Sequence, residues 1–328
     1  MQTSLNQLIF KVLFLTIMSI VLTNTSRANE KIEGCFVAKK ECEALHSIRK
    51  HTNPGNVRLE PFKLYSITAG NKPNPTYYQV KTDAENPRNR WVPISCGNYV
   101  ANCRLLPSTT ATNTQNKTQY LLALSWEPAF CETHPQKIEC KTLTPDRQDA
   151  KQLSLHGLWP QPRNNAYCNV DSTTKAIDRR KKWGLLKQLD LSDETRNRLA
   201  ISMPGYASNL QRHEWIKHGT CYGLPAEIYY RHSIQLTEAV NQSEVGSLLA
   251  NNIGKKISAE AIRNAFDQSF GVGAGSKVNV RCDKKGRLSE LWINLSGAIT
   301  DPSDLRSLLK HAESTRNSCK FSLIDPVD

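Results

Sequence analysis

The sequence predicts two folded parts, a small β-barrel followed by a larger α+β domain. Three observations lead to this prediction. A polar stretch without periodicity, STTATNTQNKTQ at 108–119, is typical of a linker. Before it lie short runs rich in Tyr, Val, Ile and Trp, separated by Pro, Asn and Gly. After it, strand-like and helix-like segments follow one another without strict alternation, which favours α+β over a doubly wound sheet.

The chain begins with a segment that has the features of a secretory signal peptide. Lys11 precedes the apolar run VLFLTIMSIVL at 12–22, which is too short to cross a bilayer. SRA at 26–28 supplies a small-x-small cleavage site. We therefore expect residues 1–28 to be removed and the protein to be secreted or periplasmic. No later stretch predicts a transmembrane segment.

The first folded part, residues 29–107, contains three strand candidates. They are KLYSIT at 63–68, YYQVKT at 77–82 and RWVPISC at 90–96. Their shortness and their separation by turn-forming residues predict the small barrel.

The second part, residues 120–328, combines both types of element. Four apolar or alternating runs predict strands: YLLALSW (120–126), LSLHGLW (153–159), KVNVRC (277–282) and ELWINL (290–295). Ser192 is a good N-cap for one helix because acidic residues follow it, and Asp301 with Pro302 in the first helical position predicts another helix start.

Charge and cysteine content narrow the class of protein. The formal net charge is +13 and the pI about 9.3. This excess indicates a polyanionic partner, such as nucleic acid or an anionic membrane, or simply a soluble basic secreted protein. Export makes the even set of ten cysteines a disulfide set, and the close C-x-x-C pairs of a zinc cluster do not occur.

The stretch RHEWIKHGTC at 212–221 concentrates ionisable groups. Drawn as a helix at 100° per residue, it turns four of them to one face: His213, Glu214, Lys217 and His218. The apolar pair Trp215 and Ile216 points the other way. We expect Gly219 to end the helix and a disulfide at Cys221 to hold that end.

This face is a poor metal site. A zinc-binding H-E-x-x-H helix places its histidines four residues apart, whereas His213 and His218 are five apart and diverge by about 140°. Lys217 on the same face would repel a dication. A solvated charged face is the simplest alternative, but two histidines beside a Trp anchor favour acid–base chemistry on an anion. We expect no metal and no cofactor.

Acid–base catalysis needs a second proton-transfer group, and LSLHGLWPQ at 153–161 offers His156. We expect Gly157 to permit a sharp turn, and Trp159 to offer a flat face on which a base can stack. Taken alone, His156 and Trp159 are more readily interpreted as a packed core pair.

Together, HGLWP and HEWIKHGTC resemble the two active-site segments of the ribonuclease T2 family. The resemblance covers roughly residues 118–325, and LALSWEPAFC (122–131) and MPGY (203–206) agree with it. It implies a T2-type catalytic domain, an antiparallel sheet with helices. It further implies a metal-independent endoribonuclease that cleaves single-stranded RNA with low base specificity through a 2′,3′-cyclic phosphate, and does not cleave DNA.

The resemblance also implies the role of each site residue. His156 and His218 are the acid–base pair, while Glu214 and Lys217 stabilise the transition state. The substrate-binding set is His213 at the phosphate and Trp159, Gln161 and Tyr167 at the base. Which histidine is the base is left open. So is a second reading of the whole chain, a non-catalytic RNA-binding or toxin-like protein on the same fold.

Three of the expected disulfide pairs and the nature of the N-terminal domain also follow from resemblance. The family implies three bonds in the catalytic domain: Cys131–Cys140, Cys168–Cys221 and Cys282–Cys319. For the N-terminal part we expect the nested pairs Cys35–Cys103 and Cys42–Cys96. Residues 29–107, through SIRKHTNPGN and RWVPISCG, resemble an SH3-like barrel. Their 12 Lys and Arg against 7 Asp and Glu fit weak RNA or cell-surface contact, or a mere spacer. We expect a monomer.

Overall fold

The computed structural model describes residues 32, 34–61, 63–100, 118–299 and 304–327. The expected signal peptide, nearly all of the expected linker and the expected helix start at Asp301 lie outside these residues. The described chain divides near residue 97 into two compact units. None of the helices in these ranges has the length and apolar character needed to span a membrane.

The first unit is built from short strands. These are β1 (Cys35–Ala38), β2 (Cys42–Glu43), β3 (Arg58–Leu59), β4 (Leu64–Gly70), β5 (Tyr77–Lys81), β6 (Asn89–Pro93) and β7 (Gly97–Val100). Five form one sheet in the order β6-β5-β4-β1-β7, and β2 pairs with β3. Since the edge strands β6 and β7 do not pair with each other, the sheet is open and the expected closed SH3-like barrel is not confirmed.

The expected strands at 63–68 and 77–82 are confirmed as β4 and β5, but the run at 90–96 is a strand only as far as Pro93. A 3-10 turn, Ile94–Cys96, follows it. Cys96 in this turn is bonded to Cys42. Phe36 and Val80 are fully buried beside that bond and form the centre of a small core.

The second unit contains the other strands and the helices. The strands are β8 (Gln119–Ser125), β9 (Ser154–Pro160), β10 (Lys256–Ser258), β11 (Val278–Cys282), β12 (Leu288–Ser296) and β13 (Phe321–Leu323). The helices are α1 (Glu127–Thr133), α2 (Ile138–Lys141), α3 (Ser172–Arg179), α4 (Asp193–Ser202), α5 (Leu210–Lys217), α6 (Ala226–Asn241), α7 (Glu244–Ala250), α8 (Ala259–Phe270) and α9 (Leu305–Lys310).

An antiparallel sheet in the order β11-β12-β8-β9 forms the centre of this unit. All four strands expected from the sequence are confirmed, although Gln119, expected in the linker, already begins β8. Leu122 on β8 and Ile293 on β12 are register partners, and both are fully buried. Helix α6 packs against β9 and α4 and adds Tyr229 and Ile234 to the same core. The antiparallel sheet and the helices thus share one core, which is the arrangement of an α+β domain.

Capping residues define the starts of α4 and α9, and the start of α4 is the one that the sequence predicts. The Ser192 hydroxyl accepts a hydrogen bond from the Thr195 amide at the start of α4, 3.1 Å long. Asp193 and Glu194 occupy its first turn, where the helix dipole favours negative charge. Helix α9 starts at Leu305 with Asp304 as its cap.

Four disulfide bonds lie within the described residues. Three of them are the pairs that the family resemblance implies: Cys131–Cys140, Cys168–Cys221 and Cys282–Cys319. The fourth is Cys42–Cys96. Cys35 is also disulfide-bonded, and its expected partner, Cys103, lies outside the described residues.

Candidate active site

Helix α5 carries the second motif and confirms the expected helical geometry, with one difference. It ends at Lys217, and His218 is its C-cap, its amide donating to the Glu214 carbonyl at 2.9 Å. Glu214 is not on a solvated face, since it is 1% exposed. The acidic side chain of Glu214 therefore lies on the buried side of α5. It can be buried there because strand β9 provides polar partners for the carboxylate.

Strand β9 carries the first motif, and His156 occupies a bulge in it. Leu155 pairs with Leu124 and Gly157 with Ala123, so His156 is the extra residue between these pairs. A bulge re-aims a side chain out of the regular strand alternation. The expectation that Gly157 permits a sharp turn is wrong, because Gly157 lies inside the strand. Glycine is needed there because a Cβ atom would overlap the Glu214 carboxylate.

The Glu214 carboxylate joins the two motifs. Its Oε2 accepts a hydrogen bond from Trp159 Nε1 at 2.7 Å. Its Oε1 lies 3.8 Å from His156 Nε2 and 3.8 Å from His213 Nε2. One buried carboxylate thus fixes the positions of an indole and two imidazoles from separate elements.

His156 has a second carboxylate partner that the sequence did not single out. Its Nδ1 lies 2.6 Å from Glu290 Oε1 on β12, and Trp292 Nε1 donates to Glu290 Oε2 at 2.9 Å. Burial opposes protonation of the ring, but the hydrogen bond to Glu290 and the charges of Glu214 and Glu290 outweigh it, so the pKa of His156 is raised. Because side chains alternate between the two faces of a strand, Glu290 and Trp292 lie on the same face of β12. This alternation is the sequence signal by which Glu290 could have been found.

His218 has the opposite environment. The residue is 8% exposed, and its ring stacks on Trp159 with 5.2 Å between ring centroids. Burial, followed by the charge of Lys217 and the neighbouring His213 and His156, lowers the pKa of His218 to about 3. His218 is therefore neutral where His156 is readily protonated.

His213 is held by two residues that the sequence reasoning missed. Its Nδ1 lies 2.7 Å from Asp178 Oδ1, and Trp183 stacks on its ring at 4.6 Å between centroids. The other oxygen of Asp178 accepts a hydrogen bond from the Tyr167 hydroxyl at 2.8 Å. Nothing in the local sequence distinguishes Asp178 from a surface residue of α3, yet it is buried.

The other expected site residues lie around this centre. Tyr167 donates its amide to the Lys217 carbonyl at 2.8 Å, which joins the loop after β9 to the end of α5. Gln161 donates its side-chain amide to the Trp159 carbonyl at 3.1 Å. The ring of Trp159 contacts His156 and His218, each at 5.2 Å between centroids, so part of its surface packs against the histidines themselves.

A cavity of about 440 Å³ opens beside His156. Glu290, Trp183 and Lys181 line it, together with the buried carboxyl groups Glu127 and Glu139. Burial and the neighbouring acids raise the pKa of Glu127 to about 8. The cavity therefore combines an aromatic wall with a carboxyl group that stays protonated at neutral pH.

Metal-type donors come together at one place within the described residues, Glu127 with Cys131 and Cys140. These two cysteines are joined in a disulfide and offer no thiolate. The absence of a metal from the reaction stays a prediction.

Comparison with known proteins agrees with the two motifs. The sequence model of the Ribonuclease T2 family matches residues 117–310. The chain is similar to ribonuclease I of Escherichia coli (strain K12), with 31% identity over 214 residues, 58% of this chain and 80% of the relative. It is similar to extracellular ribonuclease LE of Solanum lycopersicum, with 24% identity over 178 residues, 53% of this chain and 74% of the relative. Ribonuclease MC1 from bitter gourd seeds aligns in structure at 19% identity, over 63% of this chain and 99% of that chain, with a TM-score of 0.37.

Proposed function

This chain belongs to the ribonuclease T2 family, and from that premise we propose that it is a metal-independent endoribonuclease. It cuts single-stranded RNA with little base preference and forms a 2′,3′-cyclic phosphate. The observation that carries this proposal is the pair of histidines with opposite pKa shifts, both in contact with Trp159.

The opposite pKa shifts of His218 and His156 support an assignment of the two proton transfers. His218, whose pKa is lowered, is neutral and takes the proton of the 2′-hydroxyl as this oxygen attacks phosphorus, where the negative charge of the substrate phosphate favours the protonated ring. His156, kept protonated by Glu290, gives its proton to the leaving 5′-oxygen. The P–O5′ bond breaks as the P–O2′ bond forms, so no group beyond the two histidines is needed to balance the protons.

Lys217 and His213 stabilise the negative charge of the pentavalent transition state. Such preorganised electrostatic stabilisation is usually the largest single contribution to catalysis. Glu214 contacts His156, His213 and Trp159 and thereby fixes their positions around the scissile phosphate of the substrate. We propose that the cavity beside His156, the acid, receives the leaving nucleoside, while Gln161 and Tyr167 contact the base on the other side of the cut. Stacking of that base on Trp159 stays a prediction.

One experiment tests the activity. The purified protein is incubated with an RNA and a DNA of the same sequence, with and without a chelator, and the RNA ends are identified by mass spectrometry. RNA alone should be cut, chelator should have no effect, and 2′,3′-cyclic phosphate ends should appear. Chelator-abolished activity, or comparable cleavage of DNA, contradicts the proposal.

Histidine variants complete the test. His156→Ala and His218→Ala should each lower the rate by about 10²–10⁴-fold. His311→Ala, at an exposed position after α9, is the matched control and should retain activity. Cleavage retained by both active-site variants would contradict the assignment of the two histidines, whereas RNA binding without cleavage by the unmodified protein would favour the alternative, a non-catalytic RNA-binding protein on the same fold.

We further propose that the protein is exported and acts as a monomer. One relative is named an extracellular ribonuclease, and the disulfide bonds favour an oxidising compartment. Sequencing of the mature N-terminus should find Asn29 or a neighbour as the first residue.

A further inference from the structure

The segment 180–187, RKKWGLLK, forms a basic surface beside the catalytic site. It contains four cations and no acid: Arg180, Lys181, Lys182 and Lys187. All four are exposed. Within the described residues, none of their side chains has a carboxylate within ion-pair distance. Their charge is therefore available to an anionic ligand.

The segment is fixed next to the active site. The amide of Lys181 donates to the Asp178 carbonyl at 2.8 Å, and Asp178 is the residue that holds His213. From the other side, Arg212 of α5 donates to the carbonyls of Gly184 and Leu186 at 3.0 and 2.8 Å. The segment is thus attached to α3, whose Asp178 holds His213, and to α5, which carries the second motif.

Part of the segment lies next to the reacting groups. Trp183, in the middle of the segment, stacks on His213, and Lys181 lines the cavity that also contains His156. Lys181 therefore lies at the edge of the catalytic centre, and the other three cations are exposed in the same segment. Leu185, 70% exposed, adds an apolar surface among them.

We propose that segment 180–187 binds the phosphates of single-stranded RNA beyond the scissile one, so that the enzyme prefers long RNA to short. The inference rests on the proposed ribonuclease activity. A row of cations interleaved with aromatic and apolar side chains is the usual surface for a single strand, since the phosphates need charge and the bases need stacking or apolar contact. A dinucleotide has only the scissile phosphate and cannot use this surface.

The test compares two variants on two substrates. The variant Arg180→Ala/Lys182→Ala/Lys187→Ala removes three cations and leaves Lys181, which lines the cavity. The control Lys255→Ala/Arg306→Ala/Lys310→Ala removes three exposed cations from elsewhere in the same unit. Cleavage of the dinucleotide UpU and of a 20-nucleotide oligouridylate is measured against salt concentration, and binding of a non-cleavable 2′-O-methyl oligouridylate is measured by fluorescence anisotropy.

The segment variant should lose about tenfold in kcat/KM on the long substrate at low salt, and its logarithmic salt slope should flatten by about 2, at about 0.7 per lost phosphate contact. Its cleavage of UpU should match that of the control. An unchanged long-substrate rate and salt slope would overturn the proposal, and so would an equal loss on UpU, which would mean that the segment acts through the active site.

The binding measurement makes a failure of this proposal distinguishable from a failure of the proposed ribonuclease activity. If the unmodified protein cleaves neither substrate, the proposed function fails, while weaker binding of the 2′-O-methyl strand by the segment variant still supports an RNA surface at 180–187. Equal binding by the segment variant and the control overturns it.

Discussion

His156 Nδ1 and Glu290 Oε1 are 2.6 Å apart, although 134 residues separate them in the chain. Glu290 is itself held, because its second oxygen accepts the Trp292 indole N–H and lies 3.6 Å from the Arg281 guanidinium. The carboxylate therefore both orients the ring of the proposed acid and raises its pKa. Glu290 is therefore a positioning residue for His156.

Replacing Glu290 with Gln should move the pH profile. As the acid, His156 must be protonated, and its protonated fraction is lost as pH rises through its pKa. Glu290 raises that pKa, so without the negative charge the loss should occur at lower pH. The basic limb of the kcat/KM profile should shift to lower pH. Glu238→Gln, which alters a carboxylate paired with Arg198, is the matched control, and an identical profile for both variants would contradict the assignment.

Gly157→Ala should damage the site more than an ordinary glycine substitution does. The added methyl would overlap the Glu214 carboxylate, and displacement of a catalytic group by about 1 Å can cost about 10²-fold in rate. Overpacking should also lower the free energy of unfolding by about 1–3 kcal/mol. At Gly184 a Cβ would meet nothing nearer than the Asn209 side chain, 3.8 Å away. Gly184→Ala should accordingly keep near-normal kcat and unfolding midpoint, and equal effects at both glycines would refute the argument.

Asp178→Asn should weaken substrate binding through His213. The change removes the negative charge beside His213 Nδ1 and disturbs the contact with the Tyr167 hydroxyl. Loss of hydrogen bonds to a buried charged group costs about 1.5–3 kcal/mol of stability. KM for RNA should rise more than kcat falls. Asp171→Asn, at the N-cap of the same helix, is the control, because Asn caps as well as Asp. A normal KM for Asp178→Asn would remove His213 from phosphate binding.

The two disulfides near the motifs should differ in their contribution to stability. Cys168–Cys221 spans 53 residues and ties the loop carrying Tyr167 to the end of α5, whereas Cys131–Cys140 spans 9. Chain entropy makes the longer loop more stabilising by about 1.5 kcal/mol. Double Ala variants compared by denaturant unfolding should show this order. The longer-loop variant should also lose activity, and the reverse order of stability would count against the entropic argument.

The sequence predicted what depends on local periodicity. The four strands of the central sheet and helix α5 were recovered because apolar alternation and a helical face are visible in single stretches. The partners of the histidines were not, because Glu290 and Asp178 reach them only through folding, across 134 and 35 residues. The bulge at His156 was missed for the same reason, since it depends on the register with β8.

In the first unit, the sequence predicted strands but not their closure. Three of the seven strands were found from their Tyr, Val and Ile content. Strands β2 and β3 have two residues each, too short to produce a period. Whether a sheet closes depends on the pairing of its edge strands, β6 and β7, and this pairing leaves no trace in composition.

Removal of the first unit should leave a working enzyme. The proposed catalytic residues lie on β9, on α5 and at the C-cap of α5, and among the residues that the structure describes, none from before β8 belongs to the core of the second unit. The Gly297 amide donates to the Thr118 carbonyl at 2.8 Å, so ordered pairing begins at the very start of β8. A chain beginning near Gln119, at Thr118, should therefore fold, with a cooperative thermal transition, and cleave short RNA at a rate comparable to that of the full chain. If the basic first unit contributes phosphate contacts, the shortened chain should bind long RNA more weakly and with a flatter salt dependence. A folded but inactive product would show that the catalytic unit depends on residues before β8.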